Sequence, residues 1–353
     1  MKTGSPFLLL CFSIFALISL QNCGTTMTQM EVLQPAEFSI PSHLEVIVTL
    51  DRSKPRGGFG SFLEGTFSGE DIGQDRRGRQ SALDGLTNAL TRTPRFQVRS
   101  SGLEMTGSRG GQRMDAPLPW SEIERIADRH QADAVLVLES YDSDQYVRTR
   151  TQKYTEKNKD GEKIERIRHI AEGNMRVNLG WRLYDPSKRI IIDEFNAWAD
   201  ADVNGRGATE QQARADLPDQ VRVARDVSYD AGIRYGMRIA PVWITVNRSF
   251  YRTAKGADKE PMQRADRFVK SDNWKEAVAI WEDLSRSATE AKTAGKAAHN
   301  VAVAHERYDR LELALDWAEK AYTQYGNKSS RSYIQELQQR LNDKRKVEMQ
   351  MNN

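Results

Sequence analysis

Cysteine is almost absent from this chain. Only Cys11 and Cys23 occur among its 353 residues. Cys11 lies within an apolar run at residues 7–20, which follows the single basic residue Lys2. This layout is typical of a secretory signal. Cleavage before Cys23 would leave a mature chain with one thiol, which excludes a scaffold held together by internal disulfides.

Long hydrophobic runs are also lacking, since a membrane-spanning helix needs about 20 apolar residues and no segment after the N-terminal run approaches that. We therefore predict a signal peptide at residues 1–22 and lipid attachment at Cys23, with acyl chains such as palmitate holding the chain at a membrane. Leu20 stands three places before the cysteine, as a lipoprotein signal requires. Gln21 and Asn22 are larger than the residues usual there, so an ordinary signal peptide with an incidental cysteine is the alternative.

The residues after Cys23 bear on its destination. Gly24 stands where an aspartate would favour retention in the inner membrane. Residues 25–28 (TTMT) lack the acidic cluster of a surface-export tag. We expect a lipid-anchored protein of the outer membrane that faces the periplasm.

A charge excess of one sign is missing as well. The chain has 52 basic and 49 acidic residues, for a net charge of +3. A nucleic-acid-binding protein usually has a pronounced basic excess. We expect no nucleic-acid partner.

Patterns that carry catalysis or bind cofactors are not found. The five histidines show no metal-binding spacing, and no nucleophile elbow or phosphate-binding lysine loop occurs. Asp200, Asp202 and Asn204 resemble the first half of a calcium loop, but the twelfth position is glutamine instead of the required glutamate. The other interpretation is a polar turn leading to Thr209, which forms a capping box with Gln212. We expect no enzyme activity and no cofactor, with these three residues as a weak metal candidate.

What is present between residues 43 and 252 is an alternation of strand and helix patterns. The expected elements are a strand at 44–50, a helix at 75–90, a helix capped by Ser121 and Glu124, a buried strand at 134–138, hairpins turning at 157–161 and 185–188, and a last strand at 242–246. This order predicts a mixed α/β sheet domain. Residues 23–42 are polar and contain Pro35 and Pro41, which predicts an extended tether before the domain.

The chain changes character after Pro261, where glycine and proline become rare and the periodic signals are helical. Residues 272–284 (DNWKEAVAIWEDL) align with residues 309–321 (DRLELALDWAEKA), placing Ala277 and Ala314 at equivalent positions. Tetratricopeptide repeats have a comparable period of about 34 residues and small residues where helices touch. We predict an all-α, tetratricopeptide-repeat-like domain at 253–346 and a tail at 347–353, which makes the fold class α+β.

Four segments resemble a known family: "QPAEFSIPSHLEVIVTLDRS", "LYDPSKRIIIDEF", "AGIRYGMRIAPVWITVNRSFYR" and the first repeat. The chain is similar to uncharacterised lipoproteins of Bacteroidota-type bacteria that join an α/β domain of unknown function to tetratricopeptide repeats. The resemblance implies a compartment and an architecture, and no activity.

The leading hypothesis is a non-enzymatic envelope lipoprotein that binds a protein or peptide partner through its repeats. One alternative is a periplasmic hydrolase that uses the loop between Gly57 and Gly73 as a lid. Another is a glycan- or lipid-binding component, which would need aromatic side chains exposed together in a groove.

Overall fold

The computed structural model describes residues 24–54, 72–107 and 113–352. The chain divides into two compact units. The sheet unit contains Pro35–Val242 and Glu348–Asn353, and the helical unit contains Met1–Gln34 and Trp243–Val347. The predicted signal peptide, Cys23 and most of the loop between Gly57 and Gly73 lie outside the described residues.

The elements of the described residues follow in chain order. The strands are β1 (Thr25–Gln34), β2 (Val46–Lys54), β3 (Gln97–Thr106), β4 (Ala134–Lys157), β5 (Lys163–Asp185), β6 (Ile190–Gly207) and β7 (Val242–Tyr251). The helices are α1 (Ile72–Thr91), α2 (Trp120–His130), α3 (Glu210–Ala215), α4 (Gln220–Ile239), α5 (Lys259–Lys270), α6 (Trp274–Ser287), α7 (Ala291–Arg307), α8 (Leu311–Thr323) and α9 (Lys328–Asn352). None of these helices is long and apolar enough to cross a membrane.

A five-stranded sheet in the order β3-β2-β4-β5-β6 forms the sheet unit. Strand β2 is parallel to β3 and β4, whereas β4, β5 and β6 are antiparallel. The predicted buried strand is confirmed, because residues 134–138 open β4 and are fully buried. Such a continuous apolar run suits a strand that is covered on both faces.

Both predicted hairpins are confirmed, and they share β5. The first turn contains Gly161 at a φ of 85°, a conformation that glycine adopts without strain. At the second turn, the Asp185 carboxylate accepts hydrogen bonds from Ser187 Oγ and Lys188 N. As a result β4 and β5 are 24 and 23 residues long.

Helices α1 and α4 pack closely on one face of the sheet because glycines lie at their contact. A Cβ at Gly232 would lie 1.9 Å from Ala82 O, and one at Gly85 would lie 2.0 Å from Tyr229 O. Beneath them, the rings of Trp181 and Tyr235 stack at 4.9 Å. The face opposite α1 packs against α2.

In the helical unit, α5, α6 and α7 each pack on the next helix along the chain. The two aligned segments begin in the same way, since Asp272 and Asp309 have φ values of 58° and 55° just before α6 and α8. Ala277 and Ala314 are both fully buried. The α+β fold class is confirmed, with a mixed sheet in the N-terminal part and helices in the C-terminal part.

Two local predictions are wrong. The expected tether contains strand β1, which pairs with β7 in a two-stranded sheet. Strand β7 begins at Val242, where the last strand was expected, and from Trp243 onward it lies in the helical unit. Pro119, not Ser121, precedes α2, and no side chain caps that helix. Thr209 does cap α3, by accepting a hydrogen bond from Gln212 N.

Candidate functional site

A groove of about 610 Å³ opens in the helical unit between the β1–β7 sheet and helix α9. Its floor contains Val32 from β1 and Ile244 and Val246 from β7. Its wall is one side of α9, formed by Ser332, Gln335, Glu336, Gln339, Arg340 and Asp343. The groove therefore combines an apolar floor with a charged and amide-bearing wall.

The sequence places these side chains by simple periodicity. Alternate residues of a strand point to one face, which directs Ile244, Val246 and Arg248 toward the groove. On α9 the lining positions recur three, four or seven residues apart, so they lie on one face of the helix. Tyr333 and Leu337 lie on a neighbouring face of α9 and are buried in the core of the unit.

A buried carboxylate, Glu306, anchors the two elements that flank the groove. It accepts hydrogen bonds from Arg248 Nε at 2.7 Å and Arg248 Nη2 at 2.9 Å. Tyr333 donates its hydroxyl to the same carboxylate at 2.6 Å. Glu306 is completely buried, and a bidentate arginine contact is the geometry that best offsets such burial.

The electrostatics favour one protonation state for Arg248 and for Tyr333. Burial alone would lower the pKa of Arg248, but the hydrogen bonds and charge of Glu306 raise it overall. Burial, together with the negative charge of Glu306, raises the pKa of Tyr333 well above its usual value. Arg248 therefore stays charged and Tyr333 stays a neutral donor.

Arg340 is the exception in the cluster. Its Nε lies 3.5 Å from Glu306 Oε1, and its Nη2 lies 3.8 Å from Asp309 Oδ1. The Nε atom is nevertheless buried and makes no hydrogen bond with any described residue. Buried donors without an acceptor are rare in folded proteins. Because Arg340 also lines the groove, an acceptor on a bound molecule could complete its hydrogen bonds.

A second buried carboxylate, Glu139, lies in the sheet unit. It accepts hydrogen bonds from Arg52 at 2.8 Å and from the Tyr184 hydroxyl at 2.7 Å, and it pairs with Arg182 at 3.3 Å. Both arginines also donate to backbone carbonyls, of Ala116 and Asp115. This cluster is closed by the protein itself and offers no open donor of the Arg340 kind.

The weak metal candidate does not form a calcium loop. Asp200, Asp202 and Asn204 lie at alternate positions of the extended strand β6. Asn174 Nδ2 donates to the carboxylates of Asp200 and Asp202, at 2.9 Å each. In the described parts of the chain, no three histidine, cysteine, aspartate or glutamate residues are grouped to hold a metal ion. The lipid-attachment residue Cys23 lies outside the described residues.

Sequence reasoning missed the groove because its parts are remote from one another along the chain. Strand β1, strand β7 and helix α9 are separated by long stretches of the chain, and no local pattern predicts that they meet. One signal was present: Glu306 is an acidic residue within an alanine-rich helix whose central positions are almost all buried. An acid at such a position requires buried cationic partners.

Comparisons with known proteins identify regions of the chain and no activity. Residues 263–341 match the family model described as Domain of unknown function (DUF6340). No curated protein matches the chain. Among solved structures, the chain is similar to a putative neuraminyllactose-binding hemagglutinin homolog from Helicobacter pylori, with 15% identity and a TM-score of 0.25, over 57% of this chain and 84% of that one. At that TM-score the likeness supports no conclusion.

Residues 45–251 match the family model described as Domain of unknown function (DUF8603). These residues make up more than half of the chain. Two family regions, one toward each end, agree with the expected order of an N-terminal and a C-terminal domain. The chain belongs to the family described as Domain of unknown function (DUF8603).

Proposed function

We propose that this chain is a non-enzymatic binding protein of the cell envelope, and that its helical unit holds a segment of a partner protein in the groove beside α9. The observation that carries the proposal is Arg340, which lines the groove and whose buried Nε lies 3.5 Å from Glu306 Oε1 without a hydrogen bond to a described residue. The groove volume, about 610 Å³, lies within the usual range for binding sites of roughly 300 to 1,000 Å³.

The lining defines the chemistry of the partner segment. Val32, Ile244 and Val246 would contact apolar side chains of the segment. A carboxylate on the same segment would accept from Arg340, as a charge-assisted hydrogen bond. The repeat-like helices α6 and α8 support the reading of this unit as a tetratricopeptide-like binding module.

The envelope location in this proposal depends on Cys23. A lipid anchor there would hold the protein at the outer membrane, facing the periplasm. Metabolic labelling with a palmitate analogue should mark the parent protein and leave Cys23→Ala unlabelled. Equal labelling of both proteins would remove the anchor from the proposal.

The sequence alternatives have less support. The lid of the proposed hydrolase lies mostly outside the described residues. A glycan site would need exposed aromatic rings, and the described lining of this groove contains none.

Site-specific photo-crosslinking in intact envelopes tests the groove directly. A photoreactive residue at position 339 should crosslink one protein reproducibly, since Gln339 lines the groove. Gln338 is its matched control, because it is an exposed glutamine on the same helix that does not line the groove. Arg340→Ala, added to the position-339 probe, should weaken the crosslink about tenfold. Equal crosslinking at positions 338 and 339 would contradict the proposal.

A further inference from the structure

Strand β6 is the last strand of its sheet and is long for an edge. It spans Ile190–Gly207 and, in the described part of the chain, pairs with β5 alone. Its other edge carries backbone N–H and C=O groups that no strand among the described residues pairs with. Long open edges can pair with another chain, so folded proteins usually shorten or cover them.

Helix α4 packs on the face of the sheet over β5 and β6, and it leaves a groove next to β6. One cavity of about 240 Å³ lies between Phe195 and Ala197 of β6 and Tyr235 and Arg238 of α4. A second cavity, of about 270 Å³, continues along the strand. Arg234 lines both cavities, so they form one path along β6.

Small side chains on β6 create this path. Ala197, Ala199 and Ala201 occupy successive alternate positions on the strand face toward α4. Residues 195 to 203 extend over about 27 Å at the usual rise of a strand. The path is closed near one end by the Glu37–Arg238 ion pair, and near the other by Asp216, which accepts from Arg206 N.

The helix side of the second cavity carries two acidic and two basic side chains. Arg222, Asp226, Asp230 and Arg234 are exposed at successive turns of α4 and line this cavity. Residues four apart on a helix commonly form ion pairs when their charges are opposite. None of these four side chains pairs with another described residue. Asp226 and Asp230 therefore present two carboxylates to whatever occupies the path.

We propose that β6 and α4 form a strand-addition site for an extended segment of a partner protein. The segment adds its backbone hydrogen bonds to the open edge of β6, as in other edge-strand recognition. An apolar side chain fills the first cavity, and a lysine or arginine four residues away on the same face reaches Asp226 and Asp230. This surface lies in the sheet unit and is independent of the groove beside α9.

Two fluorescent peptides serve as probes, because the added strand can run parallel or antiparallel to β6. They are Ser-Val-Ser-Val-Ser-Lys-Ser and its reverse, each blocked at both ends. Fluorescence anisotropy on the full chain should show saturable binding of at least one. Replacing the lysine of the probe by glutamate should weaken binding about tenfold or more.

A charge reversal on the protein distinguishes recognition from unfolding. Asp230→Lys should weaken binding of the lysine probe and strengthen binding of the glutamate probe. A misfolded protein would not show this reversal. Asp316→Lys is the matched control, because Asp316 is an exposed acid on α8 of the other unit. Asp316→Lys should leave the binding of both probes unchanged.

The backbone part of the proposal has its own test. Methylating the backbone nitrogens of one alternate set of probe residues should abolish binding, and methylating the other set should not. The proposal is overturned if neither probe binds, or if Asp230→Lys changes the binding of the lysine and glutamate probes in the same direction. It is overturned as well if both N-methylated peptides bind. It is also overturned if sedimentation shows a dimer of this chain that Ala201→Phe dissociates, because a second copy would then occupy the edge.

Discussion

The two units contain the same chemical cluster in two settings. Glu139 and Glu306 are both fully buried carboxylates that contact two arginines and accept a hydrogen bond from a tyrosine. Around Glu139, each arginine also donates to a backbone carbonyl, and Arg182 Nε donates to Glu194. Around Glu306, Arg340 lines a groove, and its buried Nε makes no hydrogen bond with a described residue.

The difference shows how similar residues can serve either stability or binding. A buried charge is tolerated when all its hydrogen bonds are made, and each donor left open favours an outside acceptor. The closed cluster therefore reads as structural, whereas the open one reads as part of a site. Four measurements can break or sharpen this comparison.

The largest expected effect is the loss of either buried carboxylate. Glu139→Gln should lower the free energy of unfolding by about 4 kcal/mol, since it removes the counter-charge of buried Arg52 and one of the two carboxylates paired with Arg182. Glu306→Gln should lower it less, by about 2 kcal/mol, because Arg248 and Arg340 keep the exposed Glu336 and Asp309 as counter-charges. Urea unfolding measures both, with the exposed Glu319→Gln as control. An equal or larger loss for Glu306→Gln would contradict the comparison.

The helical unit should lose stability in mild acid because of His299. Burial lowers the pKa of His299 to about 4, from an ordinary value of 6.5. The unfolded chain therefore takes up a proton near pH 6.5 that the folded unit takes up only near pH 4. Stability is complete above pH 6.5 and falls by as much as about 3 kcal/mol as the pH drops toward 4. Calorimetry at pH 7.5 and 4.5 measures the change.

The variant that tests this assignment is His299→Gln. It can keep contact with Ser330 Oγ and Ser249 O, the two partners of the imidazole, but cannot be protonated. The pH dependence of the helical unit should flatten in this variant. An unchanged dependence would show that another group carries it.

The sheet unit should respond in the opposite direction through Asp142. Burial, then the charges of Asp144 and Asp75, raise the pKa of Asp142 to about 6 from 3.8. A raised carboxyl pKa stabilises the fold at low pH, and this contribution is lost as the pH rises through 6. Asp142→Asn should raise the free energy of unfolding by about 1 kcal/mol at pH 7.5, a value reduced for solvent screening. At pH 4 it should change the free energy of unfolding very little. Asp316→Asn is the control in urea unfolding, and an equal effect of Asp142→Asn at both pH values would refute the assignment.

The smallest expected effect is on Arg340. Arg340→Met keeps the aliphatic stem and removes the guanidinium, so it should change the free energy of unfolding by less than about 1 kcal/mol. Arg182 donates hydrogen bonds to Glu194 and to Asp115 O. Arg182→Met should therefore lower the free energy of unfolding by about 3 kcal/mol. Thermal unfolding of Arg340→Met and Arg182→Met measures the two losses of stability. Similar losses would mean that Arg340 is as structural as Arg182.

Local patterns in the sequence predicted much of the secondary structure. The apolar run at 134–138 became a central strand, and the turn residues at 157–161 and 185–188 marked both hairpins. Thr209 capped its helix as expected. These features follow from contacts among residues close in sequence. The cap at Ser121 failed because Pro119 already ends the preceding segment and α2 begins at Trp120.

The candidate site was beyond such reasoning. Its floor joins Val32 to Ile244, and its buried anchor joins Arg248 to Glu306 and Tyr333. Each of these residues has an ordinary role in its own segment. A strand looks the same in sequence whether it joins one sheet or another, so the pairing of β7 with β1 could not be predicted.

The sequence by itself determined the type and approximate position of most helices, strands and turns, because periodicity and turn chemistry act over a few residues. It also determined that the chain has a sheet-forming part and a helical part. Only the tertiary structure decided that β1 pairs with β7, that Glu306 meets two arginines, and that the edge of β6 lies open beside α4. Those outcomes depend on which apolar surfaces, far apart along the chain, are buried against each other. A pattern of a few neighbouring residues does not specify that pairing.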